Sequence, residues 1–482
     1  MINIQPILFT IGLFLTGLAV VMVAPALLDY AYHDINWQAF GISSIITGFM
    51  GLLITFANRP KDSFQLTIRE TFILTALSWI TIALFSSLPF ILSNSMVAHV
   101  DSFFEAISGL TTTGASVLRG IDYASHGIVL WRALLEWMGG IGIIVMALTV
   151  MPLLKIGGMQ LFRSEFSDRS EKVLPRVSQI ASAILTTYVA FTVLCILLLW
   201  LAGMNWLEAI CHAFATISTG GFSTADSSIA YYNSPLIEFI IIIFMIIGST
   251  TLILFVKFFH GDRKALWKDH QVQTFMAVLI LSILAVTLYR YWDGVDPLTA
   301  LRESSFNVTS IITTTGFTSG DYTFWGTFPI MTFFILMMVG GCTGSTSGSI
   351  KIYRYQIMYE VAKAHIYQMR RPHGVFLPLY NGKRIPDEIF TSVFTFFALY
   401  VVSFGLLVLG LSLYELDIST CLSAAASCLN NVGPGFGPII GPEAHYAPLP
   451  DGAKWMLMAG MLVGRLEYVT IIILFVPHFW RD

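Results

Sequence analysis

Charged residues and cysteines are scarce in this sequence. Only 11% of its 482 residues are charged, against the roughly 25% usual for a soluble globular protein, and 56% are hydrophobic. This composition excludes a disordered chain. The net charge of −3 also leaves no basic surface for a nucleic acid. The five cysteines form no CxxC pair and lie in or beside apolar segments, which predicts buried free thiols rather than a disulfide scaffold.

Ten apolar segments are long enough to cross a bilayer as helices, because a spanning helix needs roughly 20 residues. They cover residues 7–28, 35–57, 71–92, 127–154, 177–203, 235–257, 270–289, 326–350, 388–413 and 453–479. A continuation of the eighth segment to residue 365 is left open. The first segment is not predicted to be a signal peptide, because no Lys or Arg precedes Arg59. The fold class predicted is an all-α polytopic membrane protein.

Most Lys and Arg residues fall in four connectors, which predicts that these connectors lie in the cytoplasm. The connectors cover residues 59–69, 155–176, 257–268 and 351–384. Both termini are therefore predicted to be cytoplasmic. The opposite connectors carry acidic residues instead, such as Asp226 and Glu443. These acids either attract cations to the mouth of a pore or are simply tolerated there.

A repeat of about one hundred residues underlies the pattern of helices. After the third, fifth, seventh and ninth segments come short half-apolar stretches, residues 102–112, 206–217, 297–313 and 418–430, each ending in a glycine-containing run. Aligning Gly114, Gly220, Gly316 and Gly433 gives spacings of 106, 96 and 117 residues. We predict four parallel units of spanning helix, re-entrant helix, glycine loop and spanning helix. The predicted boundaries are 1–58 for two extra helices and 59–160, 161–260, 261–372 and 373–482 for the four units.

Four equivalent loops at membrane depth predict a selectivity filter. Non-helical backbone is tolerated there only where it is buried or lines a water-filled path. Rings of backbone carbonyls can replace the hydration shell of K⁺, and the negative C-terminal ends of the short helices would favour a cation. The predicted K⁺ ligands are the backbone carbonyls of Thr111, Thr112, Thr113, Gly114, Ile217, Ser218, Thr219, Gly220, Thr313, Thr314, Thr315, Gly316, Asn430, Asn431, Val432 and Gly433.

Residues 340–349 interrupt the eighth apolar segment with Gly, Ser and Thr. The stretch is either a helix kink or an intramembrane loop that obstructs a pore below the filter; its absence of a GxxxxGK[ST] motif excludes a phosphate cradle. The predicted gate residues are Gly340, Gly341, Thr343, Gly344, Ser345, Thr346 and Gly348.

Charged residues also occur within the spanning segments. Arg465 lies inside the tenth segment, where a charge costs ~2.5–3.5 kcal/mol, so it should face water or a partner. It is either paired, for example with Glu467, or a fixed positive charge that repels cations in a pore. Arg132 and Glu136, four residues apart on one helix, are predicted to form a structural pair.

These residues resemble the Trk/Ktr/HKT superfamily of K⁺ transporters over nearly the whole chain. The resemblance rests on the four glycine runs, on the run Trp137 to Gly142, on Gly340 to Gly348 and on Gly464 to Glu467. The extra N-terminal helix pair favours the TrkH branch over KtrB. The resemblance implies a homodimer with one pore per subunit, a cytosolic nucleotide-binding TrkA ring as partner, and gating by residues 340–349 and Arg465.

The resemblance also implies K⁺ as the transported ion. Plant sodium-selective relatives carry Ser at the first filter glycine, where this chain has Gly114. The fourth run, Asn-Asn-Val-Gly, departs from the Thr-rich pattern, which weakens the side-chain match more than the function because the expected ligands are backbone carbonyls.

The function predicted is potassium uptake across the bacterial inner membrane, with no organic cofactor and no enzymatic activity. The sequence has no nucleophile and base, or paired carboxylates in GxGD form, within its helices. The alternative is a Na⁺-conducting or Na⁺/H⁺-coupled transporter of the same fold, and the sequence leaves symport with H⁺ or Na⁺ open.

Overall fold

The computed structural model describes residues 2–60, 66–93, 95, 98–149, 177–381 and 383–480. The predicted basic connector at 155–176 lies outside these residues. The helices are α1 Ile4–Ala31, α2 Trp37–Ala57, α3 Ile68–Ser86, α4 Leu88–Leu92, α5 His99–Leu110, α6 His126–Thr149, α7 Val177–Leu201, α8 Trp206–Ser218, α9 Pro235–Ser249, α10 Leu252–Phe259, α11 Ala265–Lys268, α12 His270–Trp292, α13 Pro297–Ile312, α14 Thr327–Val339, α15 Ile352–Arg370, α16 Asp387–Ser412, α17 Ile418–Asn430, α18 Asp451–Arg465, α19 Val469–Ile472 and α20 Pro477–Trp480. Two short strands, β1 Leu379–Tyr380 and β2 Lys383–Arg384, pair antiparallel.

The predicted all-α polytopic fold is confirmed, although three of the ten predicted spans are not continuous helices. Among the described residues, seven helices are long and apolar enough to cross a membrane, or nine if two bent pairs each count as one span. The sixth predicted span bends by 96° between α9 and α10, and the tenth bends by 111° after α18. The eighth ends as a helix at Val339.

Long-range contacts account for the first of these breaks. Thr251, between α9 and α10, donates its hydroxyl to the carbonyl of Thr343 at 2.7 Å. The N–H of Leu252 donates to the carbonyl of Gly344. Both acceptors belong to the chain that follows α14, so the break in one repeat is stabilised by the next repeat.

The four predicted re-entrant helices α5, α8, α13 and α17 are buried along their C-terminal parts, whereas Trp206, Leu298 and Ile418 near their N-terminal ends are exposed. Three of them begin at a side chain that caps the free N–H groups of the first turn. The capping residues are Asn205, Asp296 and Asp417. All four helices end where the glycine runs begin, so their C-terminal ends approach one another.

The helices α1 and α2 pack against each other; α1 also packs along α3 and α6, and α2 packs against α4. Asp29 of α1 is fully buried, and its carboxylate accepts the N–H of Gly127 at 2.5 Å and the hydroxyl of Ser125 at 3.2 Å. An acidic side chain here stabilises the positive N-terminal end of α6. The five cysteines are buried and free, as predicted.

Candidate ion pathway

The ends of the four re-entrant helices form loops with one shared backbone geometry. Each loop has a residue with positive φ, an intervening residue, and then a glycine with positive φ. The intervening residue donates its N–H to a carbonyl five residues earlier, over 2.8–3.0 Å in all four loops. We call residues 111–114, 218–221, 313–316 and 430–433 the four-loop ring. The positive-φ pairs are Thr112 and Gly114, Thr219 and Gly221, Thr314 and Gly316, and Asn431 and Gly433.

The predicted alignment of the second loop was wrong by one residue. The glycine with positive φ is Gly221. Gly220 is the intervening residue, because its N–H donates to a carbonyl five residues earlier, as those of Thr113, Thr315 and Val432 do in the other loops. The second loop therefore contributes Ser218, Thr219, Gly220 and Gly221, and Ile217 lies just before the ring. Two adjacent glycines made the motif ambiguous, because only the backbone geometry distinguishes them.

The four loops close on one another in chain order. A Cβ added to Gly114 would overlap the carbonyl of Gly220 in the second loop, and one added to Gly221 would overlap that of Thr315 in the third. A Cβ on Gly316 would overlap the carbonyl of Val432 in the fourth loop. A Cβ on Gly433 would lie 2.7 Å from the carbonyl oxygen of Thr113 in the first. The glycines thus allow four main chains to meet around one axis.

A cavity of about 300 Å³ lies on one side of the ring and is lined by all four ring glycines. Asp226 and Glu443 contribute to its wall, and so do Arg119 and Arg132. The wall of this cavity therefore carries both acidic and basic side chains. The carboxylate of Asp226 accepts the N–H of Ile121 at 3.0 Å, so this acid also links two of the connectors predicted to be acidic.

A polar side chain on each re-entrant helix holds the chain that leaves the ring. Glu105 accepts the N–H of Val117 at 2.8 Å. The ring of His212 lies 3.2 Å from the hydroxyl of Ser223, and Asn307 donates to the hydroxyl of Ser319 at 2.8 Å. In the fourth repeat the hydroxyl of Ser423 accepts the N–H of Phe436 at 2.9 Å. Sequence reasoning missed these residues; in three repeats they stand nine positions before the ring glycine, a regularity that the one-residue misalignment hid.

Arg132 and Glu136 do not form the predicted pair. Arg132 instead forms an ion pair with Glu105 at 2.7 Å and donates to the carbonyl of Ser223 in the second repeat at 2.9 Å. Glu136 accepts the N–H of Phe222, also in the second repeat, at 2.9 Å. The two side chains of α6 therefore connect the first repeat to the second loop.

Residues 340–351 form a loop against the side of the ring opposite the cavity; no kinked helix continues there. The hydroxyl of Thr346 lies 3.0 Å from the carbonyl of Ile217 and 2.9 Å from that of Gly248. The N–H of Gly348 donates to Thr314 at 2.9 Å, and that of Ser349 donates to the carbonyl of Asn430 at 3.1 Å. The loop thus contacts the second, third and fourth repeats together.

Arg465 is buried at 3% exposure and donates to the carbonyl of Thr346 at 2.9 Å. Its Nε and second terminal nitrogen have no hydrogen-bond partner among the described residues. Glu467 does not pair with Arg465, because it forms an ion pair with Arg354. Lys351 and Arg354, predicted in a cytoplasmic connector, are both buried, and Lys351 lines a small cavity with Arg465 and Glu467.

These features define a polytopic helical membrane protein in which four loops at the ends of short helices close a ring. A cavity lies on one side of the ring and the loop of residues 340–351 on the other. The chain belongs to the TrkH family: the family model described as "TrkH: Cation transport protein" matches residues 37–481. The family is one of cation transporters.

Curated and solved relatives cover essentially the whole chain. The chain is 41% identical to the Trk system potassium uptake protein TrkI of Halomonas elongata, over 99% of this chain and 97% of that protein. It is 35% identical to the Trk system potassium uptake protein TrkH of Escherichia coli, over 98% of each. The crystal structure of the potassium transporter TrkH from Vibrio parahaemolyticus superposes with a TM-score of 0.92 over 100% of each chain, at 33% identity.

Proposed function

We propose that this chain takes up K⁺ across the bacterial inner membrane and that the four-loop ring is its selectivity filter. The observation that carries the proposal is the closure of four main-chain loops at the C-terminal ends of four buried helices. Such ends carry partial negative charge, and rings of backbone carbonyls can replace the hydration shell of K⁺. The relatives named as potassium uptake proteins support K⁺ as the ion.

The filter ligands in this proposal are the backbone carbonyls of residues 111–114, 218–221, 313–316 and 430–433. This set differs from the one predicted from the sequence at one residue: it includes Gly221 and leaves out Ile217. Side chains differ among the loops, because Asn431 and Val432 stand where the other loops have Thr or Gly. A filter that uses backbone carbonyls tolerates this difference.

Residues 340–349 and Arg465 form the gate in this proposal. The loop lies across the path on the inner side of the ring, where it is bound to three repeats. Arg465 adds a fixed positive charge beside the same loop. A cation that leaves the ring inward would therefore meet both a steric obstacle and electrostatic repulsion.

The proposed orientation places both termini in the cytoplasm, because the Lys- and Arg-rich connectors alternate with acidic ones along the chain. The proposed partners are a second copy of the chain and a cytosolic nucleotide-binding TrkA ring. α15 follows the gate loop directly and carries Lys363 and Arg370. A partner that docks on this helix could pull on the loop.

The test is ion flux in liposomes that contain the purified protein and only a K⁺ gradient, repeated with Na⁺ in place of K⁺ and with H⁺ or Na⁺ counter-gradients. We expect K⁺ flux without any counter-gradient and a clear preference for K⁺ over Na⁺. Flux that requires a Na⁺ or H⁺ gradient would replace the channel-like mechanism by symport. Equal or greater Na⁺ flux would reject K⁺ selectivity.

A further inference from the structure

The second loop of the ring lacks a side chain that the other three loops have. The residue before the ring glycine is Thr113, Thr315 or Val432 in three loops, but Gly220 in the second. The φ angle of Gly220 is not positive, so its backbone conformation does not require glycine. A Cβ at this position would overlap the carboxylate of Glu136 on α6. The space behind Gly220 is therefore filled by a side chain from the neighbouring repeat.

In the first and third loops the corresponding hydroxyl stabilises its own loop. The hydroxyls of Thr113 and Thr111 lie 2.8 Å apart, and those of Thr315 and Thr313 are separated by the same distance. Gly220 offers no such group. Instead, Glu136 accepts the N–H of Phe222, the residue directly after the ring glycine. The second loop is thus held from outside by the helix of the first repeat.

Equivalent positions on two other outgoing helices, those of the second and fourth repeats, carry no charge. One glycine on each of three outgoing helices packs against the carbonyl four residues before a ring glycine, which makes the three positions equivalent. These glycines are Gly139, Gly248 and Gly464. Three positions before these glycines stand Glu136, Met245 and Met461. All three side chains are buried.

A buried carboxylate is unfavourable unless its oxygens are hydrogen-bonded. One oxygen of Glu136 has no hydrogen-bond partner among the described residues, while the other binds the filter loop. Ionisable groups within membrane-spanning segments are costly and mark functional sites, so the unfavourable burial of Glu136 indicates a functional role.

We infer that Glu136 is a positioning residue for ion discrimination. It occupies the place of the side chain missing at Gly220 and fixes the main chain of the second loop through Phe222. This inference rests on the proposed function, in which the carbonyl spacing of the ring distinguishes K⁺ from Na⁺. Glu136 acts through the loop and does not contact the ion.

The test compares K⁺/Na⁺ permeability ratios of three variants in liposomes. Glu136→Gln keeps an acceptor oxygen for Phe222 and should keep the ratio. Glu136→Met removes the acceptor, leaves a buried N–H unpaired and should lower the ratio at least about tenfold. The double variant Glu136→Met with Gly220→Thr restores the pattern of the third loop and should recover most of the ratio. Such a rescue is not expected of a residue that only stabilises the fold.

Glu238→Met is the matched control, because Glu238 is a buried acid on α9 that pairs with Arg302 at 2.7 Å and does not touch the ring. Its K⁺/Na⁺ ratio should equal that of the wild type. An unchanged ratio in Glu136→Met would overturn the inference while leaving the filter proposal intact. A wild-type protein without K⁺ preference would instead overturn the proposed function.

A second variant tests the same contact without removing the carboxylate. Gly220→Ala places a methyl group against Glu136 and should lower the ratio. The added substitution Glu136→Ala should not restore the ratio, because it also removes the acceptor for the N–H of Phe222. A normal ratio in Gly220→Ala would contradict the inference even if the Glu136→Met protein failed to insert.

Discussion

At the scale of single residues, the ring glycines are restricted in two independent ways. Gly114 has φ 75° and Gly316 has φ 83°, a region that residues with a Cβ rarely adopt. The neighbouring loop also fills the space that a Cβ would need. Gly294 has a similar φ of 91°, but a Cβ added there would meet no atom of the described residues within 4 Å. Backbone strain and crowding can therefore be separated by experiment.

Replacing Gly114 with Ser should lower the K⁺/Na⁺ permeability ratio at least about tenfold or abolish flux, because backbone strain of ~1–2 kcal/mol adds to a displaced second loop. Gly221, Gly316 and Gly433 should behave in the same way. Ratios are measured from reversal potentials or paired flux assays. Gly294→Ser is the control for strain alone and should keep the ratio. Normal ratios in all four ring variants would reject the filter assignment.

Removing the charge of Arg465 should raise K⁺ flux without changing selectivity, because the proposed barrier lies beyond the ring, on the side opposite the cavity. A K⁺ ion about 6 Å from the guanidinium is repelled by ~3 kcal/mol at an effective dielectric constant of about 20. Since the loop still obstructs the path, we expect an increase of about tenfold for Arg465→Ala. Arg465→Lys retains the charge and is the control. A folded Ala variant with flux at or below the wild-type level would contradict an electrostatic barrier.

Single residues also mark the limit of sequence reasoning here. The Thr-Thr-Gly pattern located the first and third loops correctly, whereas the adjacent glycines 220 and 221 displaced the second by one residue. The partner of Arg132 was missed because spacing along a helix suggests Glu136, while Glu105 comes close only when the re-entrant helix folds back. Pairing across elements depends on tertiary structure, which helical spacing does not contain.

At the scale of elements, the loop of residues 340–351 is a strained connection with many contacts rather than a free segment. Gly340, Gly344, Ser349 and Lys351 all have positive φ. The glycine-rich composition predicted an interruption of the eighth span. Hydropathy could not predict the bends after Ser249 and Arg465, because neither break contains Gly or Pro. Those bends depend on contacts made by the loop of residues 340–351 and by Arg354.

Weakening the contacts of the loop of residues 340–351 should raise the resting K⁺ flux. Thr346→Val keeps the shape of the side chain but removes the hydroxyl, whose single proton is shared between the carbonyls of Ile217 and Gly248. The loss of this hydrogen bond is worth roughly 0.5–1.5 kcal/mol, so we expect flux to rise about threefold to tenfold. Flux is measured without the cytosolic partner. Thr332→Val, on an exposed face of α14, is the matched control and should have no effect.

Deleting residues 343–348 is the stronger form of the same experiment. The shortened loop should give high K⁺ flux that no longer responds to the cytosolic partner. A deletion variant that inserts and folds, yet keeps a low resting flux that the partner still increases, would reject this loop as the gate.

At the scale of the whole molecule, the four repeats are held together by charged contacts between neighbours. Glu238 of the second repeat pairs with Arg302 of the third, and Lys454 of the fourth pairs with Asp101 of the first at 2.5 Å. The last pair joins residues 353 positions apart and closes the circle. The repeat in the sequence predicted four parallel units, but the residues that fasten them differ from junction to junction and follow no motif.

Breaking the closing pair should destabilise the whole molecule. Lys454→Ala leaves the carboxylate of Asp101, which is 10% exposed, without its buried partner. Loss of one member of a buried pair costs about 3–5 kcal/mol, whereas replacing both by apolar residues of similar volume is often neutral or stabilising. We therefore expect a clear fall in the apparent melting temperature in detergent for Lys454→Ala. The double variant Lys454→Met with Asp101→Leu should recover most of that loss.

The control is Lys363→Ala, which breaks the pair with Glu360, where the two side chains are 42% and 27% exposed. Such surface pairs contribute only about 0–1 kcal/mol, so this variant should melt close to the wild type. Melting is compared at one heating rate, because membrane proteins of this size unfold irreversibly and the apparent midpoint then depends on the rate. If Lys454→Ala were as stable as Lys363→Ala, the ring would be closed by main-chain packing between the fourth and first loops alone. The ion pair would then have no part in holding the first and fourth repeats together.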